Sequence, residues 1–166
     1  VSAAVYDAAG LSIREEVIGR YGSRNDQPVF ATSAGDIVGI NRMLHAVVNN
    51  DETPMAVLKS TVVNLLEAAD KLLDSSSIAV PFPSVNIEGS ELWAAAGALV
   101  KAIRQFEDNT TDSPGALTSV TFCTVSMLNA DVLTVVLKQG FQVGDQSNEE
   151  AGLTDPVAAD TTDITD

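Results

Sequence analysis

The sequence is short of reactive side chains. It has one cysteine, Cys123, and one histidine, His45, so an intrachain disulfide is impossible and no His/Cys set exists for a structural zinc site. A thiol nucleophile at Cys123 would need His45 beside it. The apolar, β-branched run at residues 120–125 reads instead as core, with Cys123 a small residue inside it. Aromatic residues make up 5% of the chain, too few for a Tyr- and Trp-rich β-sandwich or for the aromatic-lined cleft of a sugar hydrolase. There is no glycine-rich phosphate loop and no nucleophile elbow around a serine. No apolar run is long enough to span a bilayer, and the first ten residues lack the basic start and apolar stretch of a signal peptide.

Basic residues are also scarce, with 9 Lys and Arg against 23 Asp and Glu, for a net charge of −14. A surface this acidic repels phosphate backbones, so direct nucleic-acid contact and binding to anionic membranes are disfavoured. Asp108, Thr110 and Asp112 imitate the opening of a calcium-binding EF-hand loop, but Ser113 stands where the turn glycine belongs and Ser119 where the closing Glu belongs. Neither a metal nor a cofactor is expected, and no residue is assigned a catalytic role.

What the chain does have is 45% apolar residues in 166 positions, enough for one domain with a proper core. From Pro54, Met55, Leu58, Val62, Leu65, Ala69 and Leu72 recur at alternating steps of three and four, which places them on one face of a helix with Thr53 as its cap. Ser90 opens a second helix carrying Leu92, Ala96, Leu99, Ile103 and Phe106, with alanines at 94, 95, 96 and 98 for close approach to a neighbour. Ser33 and Asp36 resemble a capping pair before a stripe of Ile37, Ile40, Leu44 and Val47, which predicts a helix with Gly35 and Gly39 inside it. A shorter helix is expected from Ser12 to Gly19 or Gly22, with Glu15 as reciprocal cap. Residues 20–30 and 78–87 read as ordered loops or short extended pieces, and Pro81 and Pro83 present Phe82 stiffly as a core plug or an exposed anchor. Residues 115–140 read as two buried helices, with Asn129 or Asp131 capping the second and Gly140 stopping it. The fold class expected is therefore all-α, five to six helices with extended terminal arms; the alternative is α+β with a hairpin around 117–137.

Charge is distributed unevenly. Residues 145–166 contain seven acids (Asp145, Glu149, Glu150, Asp155, Asp160, Asp163, Asp166) and no base, half of the net charge, while Arg14, Arg20, Arg24 and Arg42 gather in the first fifty residues. Such a distribution divides the chain into a helical domain at 1–144 and an acidic arm at 145–166. It suggests that the arm of one subunit lies across the arginines of the next through bidentate carboxylate contacts. Arg14, Arg20, Arg24, Arg42, Phe82, Asp155, Val157, Asp160, Asp163 and Ile164 are the contact residues this implies.

The function expected from the sequence is a self-assembling structural subunit without catalysis, such as a viral coat, decoration or tail protein or a filament subunit. Its partners would be copies of itself and other structural proteins, and its place a virion or extracellular assembly, or otherwise the cytoplasm. The alternative is a soluble helical module that binds a partner protein.

Overall fold

The computed structural model describes residues 2–23, 26–48, 53–72, 76–82, 90–112 and 115–141. Along the chain run α1 (Ser2–Ala9), α2 (Leu11–Gly22), β1 (Val29–Ser33), β2 (Arg42–Ala46), α3 (Pro54–Leu72), β3 (Ser77–Pro81), α4 (Ser90–Thr110), β4 (Ser119–Cys123) and α5 (Met127–Gly140). The all-α expectation is therefore wrong, and the hairpin alternative fails as well. Four strands form two two-stranded sheets among the described residues: β1 with β2 antiparallel, and β3 with β4 parallel.

The second half of the chain is built on α4. Leu92, Ala95, Ala96, Leu99 and Ala102 are at most 2% exposed. They pack between α3, which contributes Val62, Val63 and Leu66, and α5, which contributes Val132 and Leu133. Alanines on the inner face let the helix axes come close, and full burial of side chains such as Leu66 and Leu99 contributes about 1.5–3 kcal/mol each. Gly140 at the end of α5 continues that close approach, since a Cβ there would lie 2.5 Å from a Val100 methyl. The periodicity of α3 and α4 is thus realised, with Leu66 taking the fully buried place and Leu65 left half-buried.

The pair β3–β4 lies against this core. Along β4, Val120 and Phe122 turn inward and Ser119, Thr121 and Cys123 outward. That is a two-residue alternation, in place of the helix expected there. Cys123 is exposed, not the core residue its neighbours suggested. In β3, Ile78 and Val80 point inward, and Pro81 occupies the last position of the strand, where loss of an N–H is tolerated. Phe82 follows at 3% exposure as a plug in the core.

The first half corrects three expectations. Residues 2–9, taken as part of an arm, form α1. The helix predicted over the stripe from Ile37 to Val47 does not exist, because its spacing is accidental. Val29, Phe30 and Thr32 favour a strand, and the following glycines prevent a helical path. Gly35 has φ 58 and Gly39 φ 83, left-handed values that turn the chain back so that β2 returns beside β1 from Ser33↔Arg42 to Val29↔Ala46. Gly35 also passes so near the junction of α1 and α2 that a Cβ would sit 2.0 Å from the Ala9 carbonyl oxygen. That carbonyl accepts the Asp36 N–H at 3.1 Å. α2 starts after Gly10 without a side-chain cap, so neither Ser12 nor Glu15 plays the capping role expected of it. The acidic arm at 145–166 lies outside the described residues.

The two glycines give a graded prediction. Gly35→Ala meets both the left-handed backbone and the Ala9 carbonyl, and should lower stability by more than about 2 kcal/mol. Gly39→Ala has open space around it and should cost about 1 kcal/mol from the backbone alone. Urea unfolding of both variants with unchanged slope checks the order, and equal losses would refute the close-approach account.

Candidate functional site

His45 is held at the middle of a polar and aromatic stack. Its ring lies nearly parallel to Phe30, with centroids 5.0 Å apart, and to Tyr6 at 6.2 Å. The Thr32 hydroxyl donates to the Ser33 carbonyl at 2.9 Å, so its oxygen is left to accept from His45 Nε2–H at 2.9 Å. Nδ1 then accepts from the Tyr6 hydroxyl at 3.4 Å. The chain Tyr6–His45–Thr32–Ser33 is satisfied by a neutral imidazole with its proton on Nε2. Burial of the ring drives its pKa down from the ordinary 6.5, with a smaller opposing pull from Glu16. Both ring nitrogens are occupied within the fold, which makes His45 a structural residue and not a free base.

Glu16 closes the outer side of this region. Its carboxylate accepts from the Ser33 N–H at 3.1 Å and from the Ser33 hydroxyl at 2.7 Å. The hydroxyl hydrogen bond is the largest cause holding its carboxyl below the ordinary 4.5.

Two surfaces are left open for a ligand. One is a cleft of about 480 Å³ lined by residues 39–45, residues 77–81, Val5, Tyr6 and Leu65. The other is the carboxyl edge of the parallel pair, where Pro81 and Cys123 are the last matched residues. Beyond Cys123 the chain makes a short turn, with the Ser126 N–H bonded to Thr124 Oγ1 at 3.3 Å. Ser126 then caps α5 by accepting the Asn129 N–H, a role expected of Asn129 or Asp131. On this turn Val125 is 100% exposed, Met127 79% and Leu128 65%, a concentration of bare apolar surface in a chain otherwise rich in acids. Pro81 belongs to both surfaces. Among the described residues no three carboxylate, His or Cys groups converge as metal ligands would.

The arginines singled out from the sequence are not brought together. Arg14 pairs with Asp7 at 2.9 Å and Arg20 with Glu16 at 3.9 Å, both exposed contacts worth little individually. Arg42 stands at the first position of β2 and lines the cleft. Arg24, Asp155, Val157, Asp160, Asp163 and Ile164 lie outside the described residues. Phe82 is buried and offers no face to a neighbour. The turn at 124–128 was missed because its residues read as the continuation of a buried helix; the signal available was the Ser126 cap three residues before Asn129.

No protein-family model matches this sequence, and no curated protein shows significant similarity to it. Solved structures do share the fold. Structures of the Oceanobacillus iheyensis macrodomain superpose on it: a point mutant with ADPR (TM-score 0.63, 22% identity), which covers 82% of this chain and 75% of that one, a second point mutant (0.64, 22%, covering 82% and 71%), and the protein with ADP (0.57, 20%, covering 82% and 74%). The fold is that of a macrodomain, a mixed α/β architecture.

This likeness overturns the expected coat, decoration, tail or filament subunit and its partnership with copies of itself. It also overturns the helical protein-binding module offered as the alternative. Those expectations rested on an all-helical assembly unit, and the residues build something else. The expectation that the chain is no enzyme, which rested on the scarcity of reactive side chains and catalytic motifs, is set aside by the same finding.

His45 sets a pH dependence with a definite sign. With its folded pKa below 6.5, the unfolded chain takes up the proton first, so the contribution is complete above 6.5 and is lost as pH falls through the window below it. The urea midpoint should drop between about pH 7.5 and about pH 5.5. His45→Gln should be less stable at the upper pH and nearly flat across the interval. An unchanged slope in that variant would assign the dependence to another group.

Proposed function

We propose that this chain binds a nucleoside diphosphate of the ADP-ribose class at the carboxyl edge of the β3–β4 pair. The observation that carries the reading is the fold itself, since solved macrodomains that superpose on it were obtained with ADPR and with ADP. Local geometry supports it in three ways. Ligands of open α/β sheets bind beyond the carboxyl ends of parallel strands, and here those ends are Pro81 and Cys123. The bare surface of Val125, Met127 and Leu128 suits the flat face of a base. α5 begins in the same turn, and first-turn amides of a helix favour phosphate oxygens.

The net charge of −14 works against an anionic ligand. Its long-range part is screened beyond about 8 Å at 0.15 M salt, so contacts at the edge decide the outcome. Affinity should therefore rise as salt is raised from about 0.02 M to about 0.15 M, opposite to the behaviour of a basic phosphate-binding surface.

Titration calorimetry with ADP-ribose checks the proposal. Saturable binding is expected, accompanied by ligand-dependent thermal stabilisation. Val125→Glu, at a fully exposed position, should leave folding intact and weaken binding more than about tenfold by replacing the apolar surface for the base with a carboxylate close to the anionic ligand. Val38→Glu, on the exposed β1–β2 turn, should bind as the unaltered chain does. Absence of saturable heat at millimolar ADP-ribose would overturn the reading, and unchanged affinity in Val125→Glu would remove this edge from it.

A further inference from the structure

We infer that Met127 makes the carboxyl edge of the β3–β4 pair an oxidation-sensitive switch: a peroxide-class oxidant converts its thioether to the sulfoxide, and the edge then releases its nucleotide. Such regulation rests on the nucleotide reading of the same edge.

The sulfur atoms are unevenly placed in the fold. The chain has three methionines and one cysteine. Met43 and Met55 are half-buried, the first lining the cleft and the second packed against the core. Met127 is 79% exposed, and Cys123 at the end of β4 is exposed as well. Both of the chain's exposed sulfur side chains therefore fall at the two ends of the turn that joins β4 to α5. Oxidation of sulfur follows access, so Met127 is the methionine that reacts first.

The surroundings of Met127 turn that reaction into a change of binding. It is the first residue of α5, directly after the Ser126 cap, and its neighbours Val125 and Leu128 are bare apolar surface. A thioether is soft and apolar, suited to the flat face of a base. A sulfoxide is polar, and its oxygen holds water. Covering that oxygen with a base removes the water and returns no hydrogen bond, because a ring face carries no donor. The oxygen also brings partial negative charge to a surface that receives a diphosphate. The fold is spared, since the buried residues of α5 are Asn129, Val132 and Leu133 and Met127 is not among them.

The sulfur lone pair attacks one oxygen of hydrogen peroxide. An S–O bond forms as the O–O bond breaks. The second oxygen leaves as hydroxide and takes the proton of the transferred hydroxyl to become water, so that sulfur loses two electrons and the peroxide gains them. Sulfoxide reductases reverse the change with two thiols, which give up two electrons and two protons and yield a disulfide and water.

The test treats the full chain with hydrogen peroxide, then with dithiothreitol, and titrates it with ADP-ribose. Dithiothreitol returns Cys123 from a sulfenic acid or a disulfide and leaves methionine sulfoxide in place. Peptide mass mapping should find the added oxygen on Met127 before Met43 or Met55. Affinity should fall at least about tenfold while the melting temperature without ligand stays the same. Treatment with both methionine sulfoxide reductases, one for each sulfoxide epimer, should restore it. Met127→Leu, whatever its own affinity, should bind equally with and without peroxide treatment. Earlier oxidation of Met43 or Met55, unchanged affinity of the Met127 sulfoxide, or the same loss in Met127→Leu would overturn the switch. Full recovery with dithiothreitol alone would also overturn it, by assigning the effect to Cys123. A chain that binds no ADP-ribose before oxidation removes the nucleotide reading, and the switch with it.

Discussion

The burial of α4 is the constraint on which the second half of the molecule depends. Its inner face is nearly all alanine and leucine, so α3 and α5 can approach from two sides and the three helices form one layer behind β3 and β4. Since α4 also connects those strands, the same packing that fixes the helix fixes their parallel pairing. The carboxyl edge, with its turn at Thr124 to Leu128, is a product of that arrangement. Loosening α4 would therefore displace the exposed apolar turn before any residue of the turn itself changed.

In the first half the corresponding constraint is made of backbone. Gly35 and Asp36 meet the Ala9 main chain directly while the Asp36 side chain lies against Gly10, and that contact sets where β1 ends and where β2 begins. β2 in turn carries His45 into its stack with Tyr6 and Phe30. Neutral imidazole, hydroxyl and carbonyl follow one another there in a single hydrogen-bonded order, which gives a half-buried titratable group a structural purpose.

Much of the helical structure was legible in the sequence and the strands were not. α3 and α4 are long, so a face of five to seven apolar residues rises above chance. β1 to β4 are five residues each, short enough for their signal to be absorbed by flanking residues. The stripe from Ile37 to Val47 matched a helical period across a turn, and the positive φ of Gly35 and Gly39 was the contrary sign. In the run from Thr118 to Val125, extending the window past Cys123 hid the alternation of Val120 and Phe122. The candidate site was less legible still. Val125, Met127 and Leu128 are apolar residues beside an apolar strand, and nothing in their identity marks them as exposed. The arginines drew attention through their grouping in sequence, yet Arg14 is engaged with Asp7 of α1 and Arg20 with Glu16 of its own helix.

The contacts that define this fold are made by small residues and main chain: alanine against helix, glycine against carbonyl, strand edge against strand edge. Such contacts specify what must be absent from a position more than what must be present. Many sequences satisfy them equally, and the constraint leaves few residues to be held in common. An identity of 20–22% with chains of the same architecture is the level of divergence that a framework of this kind permits. Such a shape can be shared where few of the letters are.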